Sequence, residues 1–460
     1  MSLSRAARLK LQLPKILSRG EVSFDPAVLE EHGHDKWFAK GKPDAVVFPR
    51  DTASVSKLLR FANRHRIPVT PRGAGYGYVG GCVPVNGGIV LSLARMNRIL
   101  EINGADFVAV SEAGVITKDL QDAVERKGLY YPPDPASRAE SFIGGNIATN
   151  AGGPRCLKYG VTRDYVLGLR VVLADGSVVD VGGRTHKNKT GFDFARLFTG
   201  SEGMLAVVTE ATLKLIPLPP FRACLAAGFG SMTQAVRALQ SLFSNGFLPS
   251  ALELADAFTL AAAYNRTHSP RLRGCRAHLI VELDGQESSV RSEVRAVARL
   301  IGRQRPLSIE RGLGNDRCEE IWKIRREFSY SLRDTGLTKL NQDIVVPRGR
   351  LEDLFRFTAR LQEKQGLPIA CFGHAGDGNI HVNVMVDYHE ARAGRRAQAA
   401  LDELIRQVLA WKGAITGEHG IGLAKKAWWP LAASPELRKL HRAVKRALDP
   451  RAILNPGKFL

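Results

Sequence analysis

The hydrophobic pattern divides the chain into short strands and amphipathic helices. Residues 45–48 are an unbroken apolar run. Asp51 or Thr52 can then cap a helix carrying Val55, Leu58, Leu59 and Ala62, a spacing of i, i+3, i+4, i+7 that makes one apolar stripe. Residues 67–70 return to a strand, so 43–70 is β-α-β. Residues 170–179 predict a hairpin with Asp175-Gly176 at its turn. Strand-like runs recur at 89–93, 205–209 and 277–283, and a helix over 318–332 carries Ile321, Ile324, Phe328 and Leu332 as its stripe. The proline-rich run 216–220 is the best linker in the chain, and no internal repeat or low-complexity tract is present.

Three stretches depart from this pattern because side chains almost vanish. Residues 66–81, RIPVTPRGAGYGYVGG, run from a strand into five glycines. Backbone N–H groups in such a loop can converge on an anion. Gly75, Gly77 and Gly80 fit G-x-G-x-x-G, but that fingerprint needs a helix to start at the loop. Here Pro84 and a second strand follow, which excludes the Rossmann arrangement. The alternative is a surface loop without a ligand. Residues 131–160 hold a stiff Pro132-Pro133-Asp134-Pro135 and then GGNIATNAGG, small enough for backbone to lie flat against a planar ligand, or simply a set of tight turns. Residues 200–203 are the third such stretch.

Chemistry-bearing side chains cluster later in the chain. In 371–386, CFGHAGDGNIHVNVMV, a two-residue turn at Asp377-Gly378 would set His374 directly opposite His381. Opposed Cβ atoms lie ~4.5–5.5 Å apart, close enough for one ion. Alternation places His381, Asn383 and Met385 on one face. A pair of metal-free, hydrogen-bonded histidines is the other possibility. In 415–422, Glu418 and His419 stand among three glycines; Glu418 could complete a two-histidine, one-carboxylate site, with His419 as a general base. Arg325 falls on the apolar stripe of its helix and calls for an anion there, unless it snorkels to the rim.

Composition narrows the partners. At 460 residues two or three domains are expected. The net charge of +21 is spread along the chain, without a basic arm or a zinc-finger, helix-turn-helix or RNA-recognition signature, so nucleic acid is not the expected partner. Anionic substrates or an anionic membrane surface suit it. Six scattered cysteines without C-x-x-C argue against a zinc ribbon or iron–sulfur cluster and suit a reducing compartment. No apolar run approaches the ~20 residues of a membrane span. The basic first 20 residues could form a membrane-surface helix or a targeting segment, but with Pro14 interrupting them a solvated, weakly ordered start is expected.

PRGAGYGYVGG, PPDPAS, GGNIATNAGG, GSEGMLAVVT, GHAGDGNIHVN, TGEHGIG and the terminal LDPRAILNPGKFL, in this order, resemble the non-Rossmann FAD-linked oxidoreductases of the vanillyl-alcohol oxidase superfamily. The resemblance is to the branch of D-lactate dehydrogenase, glycolate oxidase flavin subunit and D-2-hydroxyglutarate dehydrogenase, over residues 25–460. It implies an α+β fold: a basic segment at 1–24, a PCMH-type FAD-binding domain of two parts at 25–217, a substrate (cap) domain with an antiparallel sheet and flanking helices at 218–425, and a tail at 426–460 that returns to the flavin. It implies FAD contacts at Arg72, Gly73, Gly75, Tyr76, Gly77, Pro133, Ser137, Gly144, Thr149, Val208 and Asn455. The metal ligands would be His374, His381 and Glu418, holding zinc or manganese. Arg325 would bind the substrate carboxylate, Asn383 would touch substrate and His419 would act as base. Tyr76 and Gly77 stand where the family usually has small hydroxyl residues, Arg326 where an acid often follows the arginine, and 338–346 matches poorly. The glycine loop lacks the histidine that tethers flavin in related oxidases, so non-covalent FAD is expected. The implied activity is oxidation of a small D-2-hydroxy acid, with a quinone, cytochrome or flavoprotein as electron acceptor. The expected setting is cytoplasmic, peripheral at the inner face of the membrane, as a homodimer. The rival enzyme reading is the alkyl-glycerone-phosphate synthase branch, disfavoured because Glu418-His419 replaces its histidine cluster. The non-enzyme rival is a basic nucleic-acid- or membrane-binding protein on a relic flavin fold.

Overall fold

The computed structural model describes residues 4–460, which divide into two compact units. The first comprises residues up to 152, 161–218 and 418–460; the second comprises 153–160 and 219–417.

The first unit holds two sheets. In one, β1 (Val22–Ser23), β2 (Ala45–Val47), β3 (Val69–Arg72) and β4 (Ile89–Ser92) lie in the order β1-β2-β4-β3, with β2 and β3 parallel to β4. The helix Thr52–His65 links β2 to β3. Asp51 caps it by accepting from Ser54 N at 2.8 Å, and Val55, Leu58, Leu59 and Ala62 are all buried. The other sheet is antiparallel: β5 (Ile99–Asn103), β6 (Val108–Glu112), β8 (Val166–Val172), β9 (Val178–Gly182) and β10 (Val207–Lys214), ordered β5-β6-β10-β8-β9. A short pair joins β7 (Leu129–Tyr130) to β11 (Ile216–Pro217). No helix opens at the glycine loop: β3 passes through it to β4, as the sequence predicts.

Two expectations change here. The basic start is an ordered helix, Arg5–Ile16, with Leu9 and Leu13 fully buried in the core beside Val55 and Leu58. Two leucines four residues apart share a face, and Ser4 caps the helix. Pro14 lies inside this helix, in its last turn, and lacks the N–H that would donate to Lys10 O. The GGNIAT run is not flat; Ile143–Thr149 is a short helix that ends at Asn150 in the left-handed region.

The second unit is built on a seven-stranded antiparallel sheet. Its strands are β12 (Phe221–Phe229), β13 (Ala251–Asp256), β14 (Ala277–Gly285), β15 (Ser308–Leu313), β16 (Thr338–Val345), β17 (Ile369–His374) and β18 (Asn379–Val386), in the order β15-β12-β14-β13-β17-β18-β16. Helices Ala257–Thr267 and Asn315–Arg333 pack Leu260, Ala263, Ile324, Phe328 and Leu332 against Ala255, Ala370, Phe372 and Met385 of the sheet.

The β17–β18 register also differs from expectation. His374 pairs with Asn379, and His381 pairs with Phe372. Four residues, 375–378, form the loop instead of two. Ala375 N donates to Gly373 O, and Gly378 is held at φ +87° against Val346. A shift of two residues preserves the face of every side chain. The histidines are therefore diagonal neighbours, with ring centroids 5.5 Å apart.

Candidate functional site

One face of the four adjacent strands β13, β17, β18 and β16 carries a continuous strip of polar side chains. Register puts Glu253 opposite His374, Phe372 opposite His381, Asn341 opposite Asn383 and Asp343 opposite His381. The strip thus runs from Glu253 through His374, Asn379 and His381 to Asp343, with Asn341 and Lys339 further along β16.

Glu253 is the hinge of this strip. It is 1% exposed, accepts from or shares a proton with His374 Nδ1 at 2.5 Å, and forms an ion pair with Arg325 Nε. Burial pushes the Glu253 carboxyl up, but Arg325 and then His374 outweigh it and hold it at about 2. Arg325 also lies 4.9 Å from the Phe372 ring centroid. Arg325 therefore does find an anion on the apolar stripe, an internal one. Its guanidinium has five donors, more than this pairing uses.

Asp343 positions the loop that bears Glu418. It accepts from Asn379 Nδ2 at 2.7 Å, Thr416 Oγ1 at 3.0 Å and Gly417 N at 2.9 Å. Glu418 is joined by its peptide bond to that anchored Gly417. The His374 and His381 rings lie together on this face, 5.5 Å apart at their centroids. Two adjacent imidazoles could supply two ligands to a transition-metal ion. The Glu253 contact behind His374 is the kind of outer partner that fixes a ligand imidazole.

Other expected residues take different positions. Asn383 is fully buried, and its amide is engaged: it donates to the Ala370 and His381 carbonyls at 3.1 Å and accepts from Asn341 at 2.8 Å. In this structure it braces the sheet. Lys339, within the poorly matching 338–346, lies on the site face, donates to Ser329 Oγ at 2.7 Å, and is brought down to about 8 by burial and by Arg333. Trp322, three residues before Arg325, donates its indole N–H to buried Glu282 at 2.7 Å and so fixes the helix.

In the first unit, the glycine loop follows the carboxyl end of β3. Arg72 supports it from behind, donating to His34 O at 2.6 Å and lying 3.4 Å from Cys82 Sγ. Gly75, at φ +75°, is seated on that guanidinium, which any side chain would strike. The loop meets the helix Ile143–Thr149 backbone to backbone: a Cβ on Gly73 would lie 3.5 Å from Gly145 Cα, and one on Gly145 would meet nothing within 4 Å. Without side chains at Gly73 and Gly145, a ligand there could approach the backbone closely. Gly144 is packed on Ala113, Thr149 bonds back to Gly145 O at 3.3 Å, and Tyr76 stacks under Lys36 at 4.5 Å. Pro133 is buried with its carbonyl on Gln121, Ser137 accepts from Ser141 N through its carbonyl, and Val208 is half-buried in β10.

The tail closes on this loop. Asn455 donates to Gly81 O and Glu202 O, both at 2.8 Å, and Lys458 donates to Val83 O at 2.8 Å. Lys458 is fully buried, which lowers it to about 8 despite Cys82, Glu202 and Asp35 nearby. Glu202 is also buried. Burial raises its carboxyl, while the N–H groups of Ile421 and Gly422 donate to it, both at 2.8 Å. The loop after His419 is thereby pinned, with the His419 ring 5.4 Å from Tyr78 and its Nε2 3.5 Å from Glu418 Oε1.

Sequence reasoning missed Glu253, Asp343, Glu202 and Lys458. The available signal was an ionisable residue inside an apolar run, as in the ALELAD of β13.

Comparison with known proteins identifies the family. The family described as FAD linked oxidases, C-terminal domain, matches residues 218–459, and a FAD binding domain matches 43–182. The chain is 38% identical over 417 residues to the glycolate oxidase subunit GlcD of Bacillus subtilis, covering 91% of this chain and 89% of that one. It is 32% identical over 465 residues to a D-lactate dehydrogenase of Anaerostipes hadrus, covering 97% and 96%. Among solved structures, p-cresol methylhydroxylase superposes with a TM-score of 0.80 at 19% identity, covering 100% of this chain and 97% of that one, a likeness of fold. The protein belongs to the FAD-linked oxidase family and is an FAD-dependent oxidoreductase with the α+β, PCMH-type fold.

Proposed function

We propose that the protein oxidises a small D-2-hydroxy acid (D-lactate, glycolate or D-2-hydroxyglutarate) to the 2-oxo acid. The observation that carries this reading is the sheet face of the second unit. It joins a guanidinium, Arg325, through one carboxylate, Glu253, to His374, with the His381 ring beside it. A 2-hydroxy acid offers the matching pair of groups, a carboxylate for the fork and a chelating hydroxyl beside it. The relatives named glycolate oxidase subunit and D-lactate dehydrogenase support the same substrate class.

Bound FAD supplies the hydride acceptor, at N5. A bound zinc or manganese ion would supply a Lewis acid that makes the hydroxyl more acidic. The chain does the rest. Arg325 holds the substrate carboxylate, with Glu253 fixing the guanidinium. His374, His381 and Glu418 would hold the ion. His419 takes the hydroxyl proton on its imidazole. Glycine-loop backbone and Gly145 seat the flavin without a covalent tether. An electron acceptor, a quinone, cytochrome or flavoprotein, then reoxidises it.

The test is the visible spectrum of the purified protein under anaerobic conditions. Bleaching of the yellow flavin by one of the three acids is expected. A yellow protein that none of them bleaches overturns the substrate class. His374→Ala should retain flavin absorbance and lose bound metal and turnover; normal turnover in that variant overturns the metal role.

A further inference from the structure

The helix Pro435–Leu448 stands apart from the rest of the fold. Among the described residues, every other helix of nine or more residues buries at least two side chains, and this one buries none. Its sequence is nonetheless strongly amphipathic. At 100° per residue, Leu437, Leu440, Val444, Ala447 and Leu448 form one arc and Arg438, Lys439, Arg442, Lys445 and Arg446 the opposite one.

Its orientation is fixed from the inner side. Lys445 Nζ donates to Met204 O at 2.7 Å and Leu454 O at 2.8 Å and pairs with Asp449 at 2.6 Å. The His441 ring lies 5.2 Å from Trp429. Those contacts turn Leu437 and Leu440 outward, 42% and 60% exposed, with Leu431 of the preceding turn 56% exposed. Lys439, Arg442 and Arg446 are exposed on the other edge, and Glu436 is the helix's one acid.

We propose that this helix docks on an anionic phospholipid surface and lies in the plane of its headgroups. Exposed leucines beside exposed cations are the requirement of an interfacial helix: the leucines enter the acyl boundary and the cations stay with the phosphates. A fluid bilayer accepts such a helix without a shaped groove. The net charge of +21 adds attraction to the same partner. No helix among the described residues is long and apolar enough to cross a membrane, so binding would be peripheral. The inference does not depend on which acid is oxidised.

Co-sedimentation of the full-length holoprotein with vesicles tests it. Vesicles of phosphatidylcholine with a quarter phosphatidylglycerol are compared with pure phosphatidylcholine, at low and high salt. The wild type should pellet with the anionic vesicles at low salt only. Leu437→Ser/Leu440→Ser and Lys439→Ala/Arg442→Ala should each weaken binding while keeping flavin absorbance and turnover of free substrate. Each cation removed should lower partitioning about fivefold. A wild type that stays in the supernatant overturns the proposal. Anionic vesicles that hold both variants as tightly as wild type also overturn it, because the charge of the whole chain then acts without the helix.

Discussion

At the scale of single residues, Glu253 decides whether the site is assembled. It joins Arg325 to His374 across 121 residues of sequence from the latter. Removing it would leave a buried cation unpaired, at about 3–5 kcal/mol. Glu253→Gln preserves volume and an acceptor but loses the charge. The expected result is a 10–100-fold fall in metal affinity with a raised KM and unchanged flavin content. Metal analysis after dialysis against graded chelator, beside the flavin absorbance, checks it. Metal affinity equal to wild type would show that His374 needs no such support. Arg325 was legible in the sequence because a cation interrupts an apolar stripe. Its partner was not, because β13 reads as one more apolar strand until register sets Glu253 opposite His374.

At the scale of elements, the β17–β18 hairpin shows which part of a prediction survives a wrong turn. The Asp377-Gly378 signal locates the hairpin, and period-2 alternation locates the shared face, but loop length sets the register. The four-residue loop moves His374 from opposite His381 to the diagonal and keeps both on the site face. Gly378 is the residue that permits this loop: its φ is +87°, and a Cβ there would come within 2.1 Å of Val346 O. Gly378→Ala should therefore cost about 2–4 kcal/mol, visible as a lowered unfolding midpoint, with loss of metal binding. A second element depends on one carboxylate. Glu202→Ala strands the Ile421 and Gly422 N–H groups, at about 1–3 kcal/mol. It should lower kcat through the adjoining His419 while the relative change in KM stays smaller. An unchanged kcat would remove Glu202 from the positioning of that loop.

At the scale of the whole molecule, the β-α-β of 43–70 and the hairpin of 170–179 were legible in the sequence, because strand and helix periods are local properties. The sequence did not show which charged groups the fold encloses, and these shape the response to pH. His278 on β14 is 3% exposed and takes no part in the proposed chemistry. Burial, with a smaller effect of Arg271, lowers it to about 4. Unfolded, it returns to its ordinary value near 6.5. Between those values the unfolded chain binds a proton that the folded chain refuses, so acidification favours unfolding across that window. From pH 7 to pH 5 this one group should remove roughly 2 kcal/mol of stability, at 1.36 kcal/mol per pH interval below the unfolded value. Below about pH 4 its contribution stops changing, since both states are protonated. His278→Gln, which cannot titrate, should shift its urea midpoint between pH 7 and pH 5 by correspondingly less than the wild type. Equal shifts in the two proteins would place the acid sensitivity elsewhere, among the buried carboxylates and not at this imidazole.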